Sequence, residues 1–198
     1  MNPLRLLISV SAFALMGAAA TAGITASNTN VKAGANPHGE YIQFSIDHAD
    51  SKKGLVHGGF SNFSQVSGKV DMKNLAASKA VFHVDIASIK TGIGKRDGHL
   101  KTGDFFNVAK WAKASITVDK VRKAKKGDVH KARVTLGIRD VKKSFDVDFK
   151  VVKAIKGGLL VEGTTSLNRR DYGVGAEPAK TGAAEKAAIK VRLAVINK

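Results

Sequence analysis

The chain has 198 residues, 43% of them hydrophobic and 25% charged, a composition that suits one globular domain with its own core and excludes a wholly disordered chain. It contains no cysteine, which excludes disulfides, thiolate metal sites and a cysteine nucleophile. Lys and Arg number 33 against 16 Asp and Glu, a net charge of +17 that predicts attraction to polyanions such as anionic lipid, lipopolysaccharide or nucleic acid.

The N-terminus reads as a targeting segment. Arg5 precedes the apolar run Leu6–Ala20, and Ala20-Thr21-Ala22 fits a small-x-small cleavage pattern. That run is short for a membrane span, and no cysteine follows it to carry a lipid anchor. The expectation is a cleaved signal peptide over residues 1–22, a flexible leader over 23–38 and a single domain over 39–198.

From there the chain alternates apolar and polar residues with period two, the signature of half-buried strands. Ile42, Phe44 and Ile46 begin the series. Phe82, Val84 and Ile86 interleave with Val81, His83 and Asp85. The even positions Ala132, Val134, Leu136 and Ile138 are apolar, and so are the odd positions Phe145, Val147, Phe149 and Val151. Ile189, Val191, Leu193 and Val195 close the series. Turn signals separate these runs at Lys52-Lys53-Gly54, Gly58-Gly59, Ser67-Gly68, Lys126-Gly127-Asp128 and Lys156-Gly157-Gly158. The pattern predicts an all-β fold of about eight strands with one short helix near Lys95–Phe105. One apolar face per strand requires one enclosed interior, which a closed barrel and a two-layer sandwich both provide. A transmembrane barrel also alternates, but one Trp and two Tyr are too few for aromatic girdles.

Catalytic and metal signatures are missing from the sequence. The six histidines, His38, His48, His57, His83, His99 and His130, form no HxH or HExxH pair. Neither a nucleophile elbow nor a complete phosphate-binding loop occurs. The basic residues are dispersed, with short clusters at Arg122–Lys126 and Lys142–Lys143, and no nucleic-acid-binding motif accompanies them. No metal, no nucleic-acid partner and no enzymatic activity are therefore expected. The charge predicts weak contact with an anionic membrane surface.

Two blocks break the alternation with clustered Arg, Asp, His and Gly. The first holds Ser88-Ile89-Lys90-Thr91-Gly92, Arg96-Asp97, His99-Leu100 and Asp104-Phe105-Phe106. The second holds Leu167-Asn168-Arg169 and Asp171-Tyr172-Gly173. Upstream stand Phe44-Ser45-Ile46-Asp47-His48, Gly59-Phe60, Phe63 and Gly68. From Tyr41 to Lys198 this arrangement resembles the YceI-like, polyisoprenoid-binding family. It departs from the family pattern at Lys90, where an acidic residue is common, at Asp140, where Gly is usual, and in lacking a Pro after Phe106.

The resemblance implies an eight-stranded antiparallel lipocalin-like barrel, located in the periplasm and binding a long-chain lipid or an isoprenoid such as a quinone. No cofactor is expected other than that bound isoprenoid or lipid as ligand. A prenyl chain needs an apolar tunnel, and the residues expected to line it are Phe44, Phe82, Val84, Ile86, Phe105, Phe106, Val134, Leu136, Phe145, Val147 and Phe149. An ordinary filled core would use the same side chains. Arg96, Asp97, His99, Arg169 and Asp171 fit either a polar mouth for a head group or a charge network pinning the helix to the barrel. The alternative function is a basic surface protein that binds anionic lipid or lipopolysaccharide without an internal ligand. Oligomeric state stays open.

Overall fold

The computed structural model describes residues 37–123 and 127–198. The expected signal peptide, most of the expected leader, and Lys126 of one expected turn lie outside the described residues.

The fold is all-β, a single curled sheet of mostly antiparallel strands. In chain order these are β1 (Tyr41–His48), β2 (Leu55–Phe60), β3 (Phe63–Lys69), β4 (Lys79–Asp85), β5 (Ile89–Lys90), β6 (Lys113–Lys123), β7 (Val129–Ile138), β8 (Val141–Ile155), β9 (Gly158–Asn168) and β10 (Ala183–Ile196). Among the described residues, two short helices, α1 (Gly94–Leu100) and α2 (Pro178–Thr181), and four 3-10 turns accompany them. The ladder runs β3-β4-β6-β7-β8-β9-β10-β1-β2-β5.

Ten strands replace the eight expected, for two reasons. The run from Leu55 to Lys69 is broken at Ser61–Asn62, so it counts as β2, paired with β1, and β3, paired with β4. The two-residue β5 adds itself to the free side of β2 through Gly59↔Lys90 and Phe60↔Ile89. Because β2 and β3 are consecutive, the chain itself links β3, at one end of the ladder, to β2, which lies beside β5 at the other. A second seam forms where the Gln65 side-chain amide donates to Ile196 O (2.6 Å) and accepts from Ile196 N (2.9 Å). Backbone hydrogen bonds between Gly68 and Lys198 extend it.

Two expected turns lie inside strands. Gly58-Gly59 falls within β2, where Gly58 faces the Phe44 ring: a Cβ there would sit 2.4 Å from the ring, so the glycine serves close packing rather than chain reversal. Ser67-Gly68 falls within β3, beside a register shift between Gln65 and Ser67. The expected helix ends earlier than Phe105. α1 stops at Leu100, and successive tight turns follow, with Phe105 N donating to Thr102 O and Phe106 N to Leu100 O. Those turns bring both adjacent phenylalanines against the interior, which a continuing helix would have pointed in divergent directions.

The alternating residues divide as their parity requires. On β8 the odd positions Phe145, Val147 and Phe149 are half-buried, whereas Asp146, Asp148 and Lys150 face solvent. Packing is densest where β1, β4, β6 and β10 meet: Ile42, Ala80, Phe82, Val84, Ala114 and Leu193 form one buried cluster with Ile86. Phe105, Tyr172 and Val174 form a second cluster under α1.

Candidate functional site

The interior is packed on one side and open on the other. Phe82, Val84 and Ile86 are almost fully buried. Val134, Leu136, Phe145, Val147 and Phe149 are only half-buried although their side chains point inward. Both groups border an interior space, but the second keeps much of its side-chain surface open to it while the first is almost wholly covered by neighbours. Two chambers occupy that space. The larger, about 400 Å³, lies toward α1; the smaller, about 160 Å³, lies toward the opposite end of the strands. They share Ile116, Leu136, Leu167, Ile189 and Val191, which form the waist between them.

All eleven expected lining residues border this space. Phe82, Val134, Phe145, Val147 and Phe149 face the smaller chamber. Phe44, Val84, Ile86, Phe105 and Phe106 face the larger, and Leu136 faces both. Other lining residues went unread in the sequence. Val56, Ile89, Leu100, Tyr172 and Val174 also wall the larger chamber. No periodic signal marks them, because most come from turns or from a two-residue strand. Leu159 and Val161 of β9 line the smaller chamber. Their parity is hidden in the run Leu159-Leu160-Val161, whose three residues are all apolar. A continuous apolar wall of this kind suits the tail of an amphiphile and offers few groups to a polar solute.

The five expected mouth residues separate. Arg96, His99 and Arg169 border the larger chamber, whereas Asp97 and Asp171 do not. Asp97 is buried and turned toward its own loop. Its Oδ1 accepts from Thr91 N (2.8 Å) and Thr91 Oγ1 (2.5 Å), while Arg96 Nε donates to Thr91 Oγ1 (2.7 Å) and a second guanidinium nitrogen donates to Thr91 O (2.8 Å). This is a network that pins the start of α1. Asp171 stands at the surface, paired with Lys143 Nζ at 3.0 Å. His99 is exposed, with Nε2 3.1 Å from Asp104 Oδ2 and its ring edge-on to Phe105 at 5.0 Å.

Arg169 is the buried cation of the site. Its guanidinium donates to Ala184 O (2.8 Å), Val174 O (2.7 Å), Ala183 O (2.9 Å) and Thr181 Oγ1 (2.9 Å), with no carboxylate paired to it among the described residues. Burial, and then the neighbouring Arg170 charge, holds it below the usual arginine value, against the opposing pull of Glu185. Gly175, at φ +73°, leaves room for this side chain: a Cβ would lie 2.5 Å from the guanidinium and 2.9 Å from the Phe105 ring. Among the described residues, no three His, Asp or Glu side chains converge as a metal site would require.

The model of the YceI-like domain matches residues 34–195. A UPF0312 protein of Staphylococcus aureus is 33% identical over 138 residues, covering 67% of this chain and 76% of that protein. Another from Pectobacterium atrosepticum is 28% identical over 141 residues, covering 68% and 70%. Among solved structures, BcnA of Burkholderia cenocepacia superposes with a TM-score of 0.69 at 18% identity, over 79% of this chain and 96% of that one. A polyisoprenoid-binding domain from Saccharophagus degradans superposes with a TM-score of 0.60 at 17% identity, over 80% and 94%. At these identities the superpositions establish a shared fold.

Proposed function

The chain belongs to the YceI-like domain family, and we infer from that premise that it is a periplasmic carrier holding the apolar tail of a long-chain isoprenoid, such as a polyisoprenoid quinone, in its two chambers. The observation that carries this reading is the half-buried state of inward Phe145, Val147 and Phe149, apolar side chains that meet space instead of each other. The volume of the larger chamber lies within the range of small-molecule sites. The naming of one relative of the same fold for polyisoprenoid binding supports the choice of ligand class. Burying one CH₂ is worth about 0.8 kcal/mol, so ten enclosed carbons give about 8 kcal/mol gross. Affinity of that origin needs no charged partner. Arg96, His99 and Arg169 at the larger chamber then suit a polar head group. The open interior weighs against a role confined to the basic exterior, and binding rather than catalysis is the activity proposed.

The test is organic extraction of protein purified from its native compartment, with mass spectrometry of the extract. A stoichiometric long-chain lipid is expected. Val147→Trp and Phe149→Trp fill the smaller chamber and should reduce lipid content while the fold, read by circular dichroism, persists. A clean extract from folded protein that also takes up no added isoprenoid would overturn the reading.

A further inference from the structure

The loop leading into α1 has a composition that neither the chambers nor the fold explains. Lys90-Thr91-Gly92-Ile93-Gly94-Lys95 presents Ile93 at 53% exposure between two exposed glycines and two exposed lysines. The loop is held firmly. Thr91 receives the Arg96 guanidinium and donates to buried Asp97, so Ile93 has no slack with which to fold inward. On the adjoining strand β2, Leu55 is 39% exposed, and exposed Lys52 and Lys53 precede it. The pairing of β2 with β5 ties the two segments together. None of Lys52, Lys53, Lys90 and Lys95 forms an ion pair among the described residues. The acids close by in the chain are Asp47, exposed on β1, Asp50, whose carboxylate accepts from Lys52 N, and buried Asp97, which is held by Thr91.

Single exposed aliphatic residues are ordinary on a protein surface. Here two of them, Leu55 and Ile93, have exposed lysines close by in the chain and, although neither lines the larger chamber, each has chain neighbours that do. Val56, next to Leu55, lines the larger chamber, and so do Ile89 and Arg96 on either side of Ile93. Aliphatic residues suited to the acyl boundary, with lysines beside them at head-group level, are the chemistry of interfacial binding to an anionic bilayer.

We propose that the lip formed by Lys52–Leu55 and Lys90–Lys95 is a docking surface for anionic phospholipid membrane, which places the larger chamber against the bilayer. The docking stands on these exposed residues. Its use, passing lipid between bilayer and chamber, rests on the lipid-binding reading above.

The test is co-sedimentation of the full chain with phosphatidylcholine vesicles, with and without phosphatidylglycerol, alongside uptake of a fluorescent isoprenoid. Binding is expected only to the anionic vesicles. The triple change Lys90→Glu, Ile93→Asp, Lys95→Glu should weaken it by about tenfold or more, and Ile93→Asp alone by a smaller factor. These side chains are exposed, so thermal stability should be kept. The control is Met72→Asp with Lys69→Glu and Lys73→Glu, which makes the same change in net charge at exposed positions beside the smaller chamber, where Met72 is 55% exposed. Vesicle binding unaltered by the lip variants, or lost equally with the control, would overturn the proposal, because bulk charge would then account for it. Isoprenoid uptake without vesicle binding would likewise remove the docking surface and leave the lipid-binding reading intact. Vesicle binding through the lip without isoprenoid uptake would retain the docking surface and remove that reading.

Discussion

Arg169 shows how one residue serves the fold and the chamber together. It reaches across the 3-10 turn Arg169–Tyr172 to carbonyls on two further segments, so a single guanidinium closes four polar contacts where a loop meets the interior. Arg169→Met keeps much of the volume but leaves buried carbonyls without donors. We expect a loss of about 3 kcal/mol, read as a lower denaturant midpoint with an unchanged slope. The sequence marks Arg169 only as part of a charged cluster. Its partners lie up to fifteen residues away and are mostly backbone carbonyls, which leave no trace in side-chain pattern. Asp97 and Asp171 look equivalent to it in the sequence, yet one is buried against its own loop and the other is paired at the surface.

Between elements, polar pairs on the outer face register the strands. Glu162 on β9 stands opposite Arg192 on β10, accepting its guanidinium at 2.8 and 3.0 Å, with Lys190 Nζ at 3.4 Å. The Tyr41 ring of β1 lies beneath both cations, at 5.1 Å from Arg192 and 5.6 Å from Lys190. Burial pushes the Glu162 carboxyl up, but the hydrogen bonds from Arg192 and the positive charges of Lys190 and Arg192 outweigh it, so its pKa falls below the ordinary value. A lowered carboxylate adds stability above its unfolded pKa and loses it as pH falls through the folded one. Glu162→Gln should therefore lower the melting temperature at neutral pH. The gap from the parent should narrow as pH drops below about 4, under the ordinary glutamate range; a gap constant across that range would refute the linkage. At this scale β1, β4, β7, β8 and β10 were legible from alternation. The break at Ser61–Asn62 and the annexed β5 were not, because both depend on which strands lie alongside.

For the whole molecule, the decisive property is that one wall of the interior is filled and the other is not. A ligand that occupies the chambers binds the folded state alone and stabilises it by mass action. At a free concentration of about one hundred times Kd this amounts to about 2.7 kcal/mol, or about 5–10 °C in melting temperature for a domain of this size. A scan with and without a soluble short-chain isoprenoid reads it, and an unchanged melting temperature at saturating ligand would count against an accessible cavity. Sequence alone determined the all-β class and which residues of each alternating strand share a face, because strand geometry ties side-chain direction to position parity. It also carried the family, through two blocks of clustered Arg, Asp, His and Gly. Only the tertiary structure decided whether those inward residues touch each other or face a chamber, and which charged residues reach it. Parity gives a side chain's direction, whereas a cavity depends on the distance to the opposite wall, which the curl of the whole sheet sets.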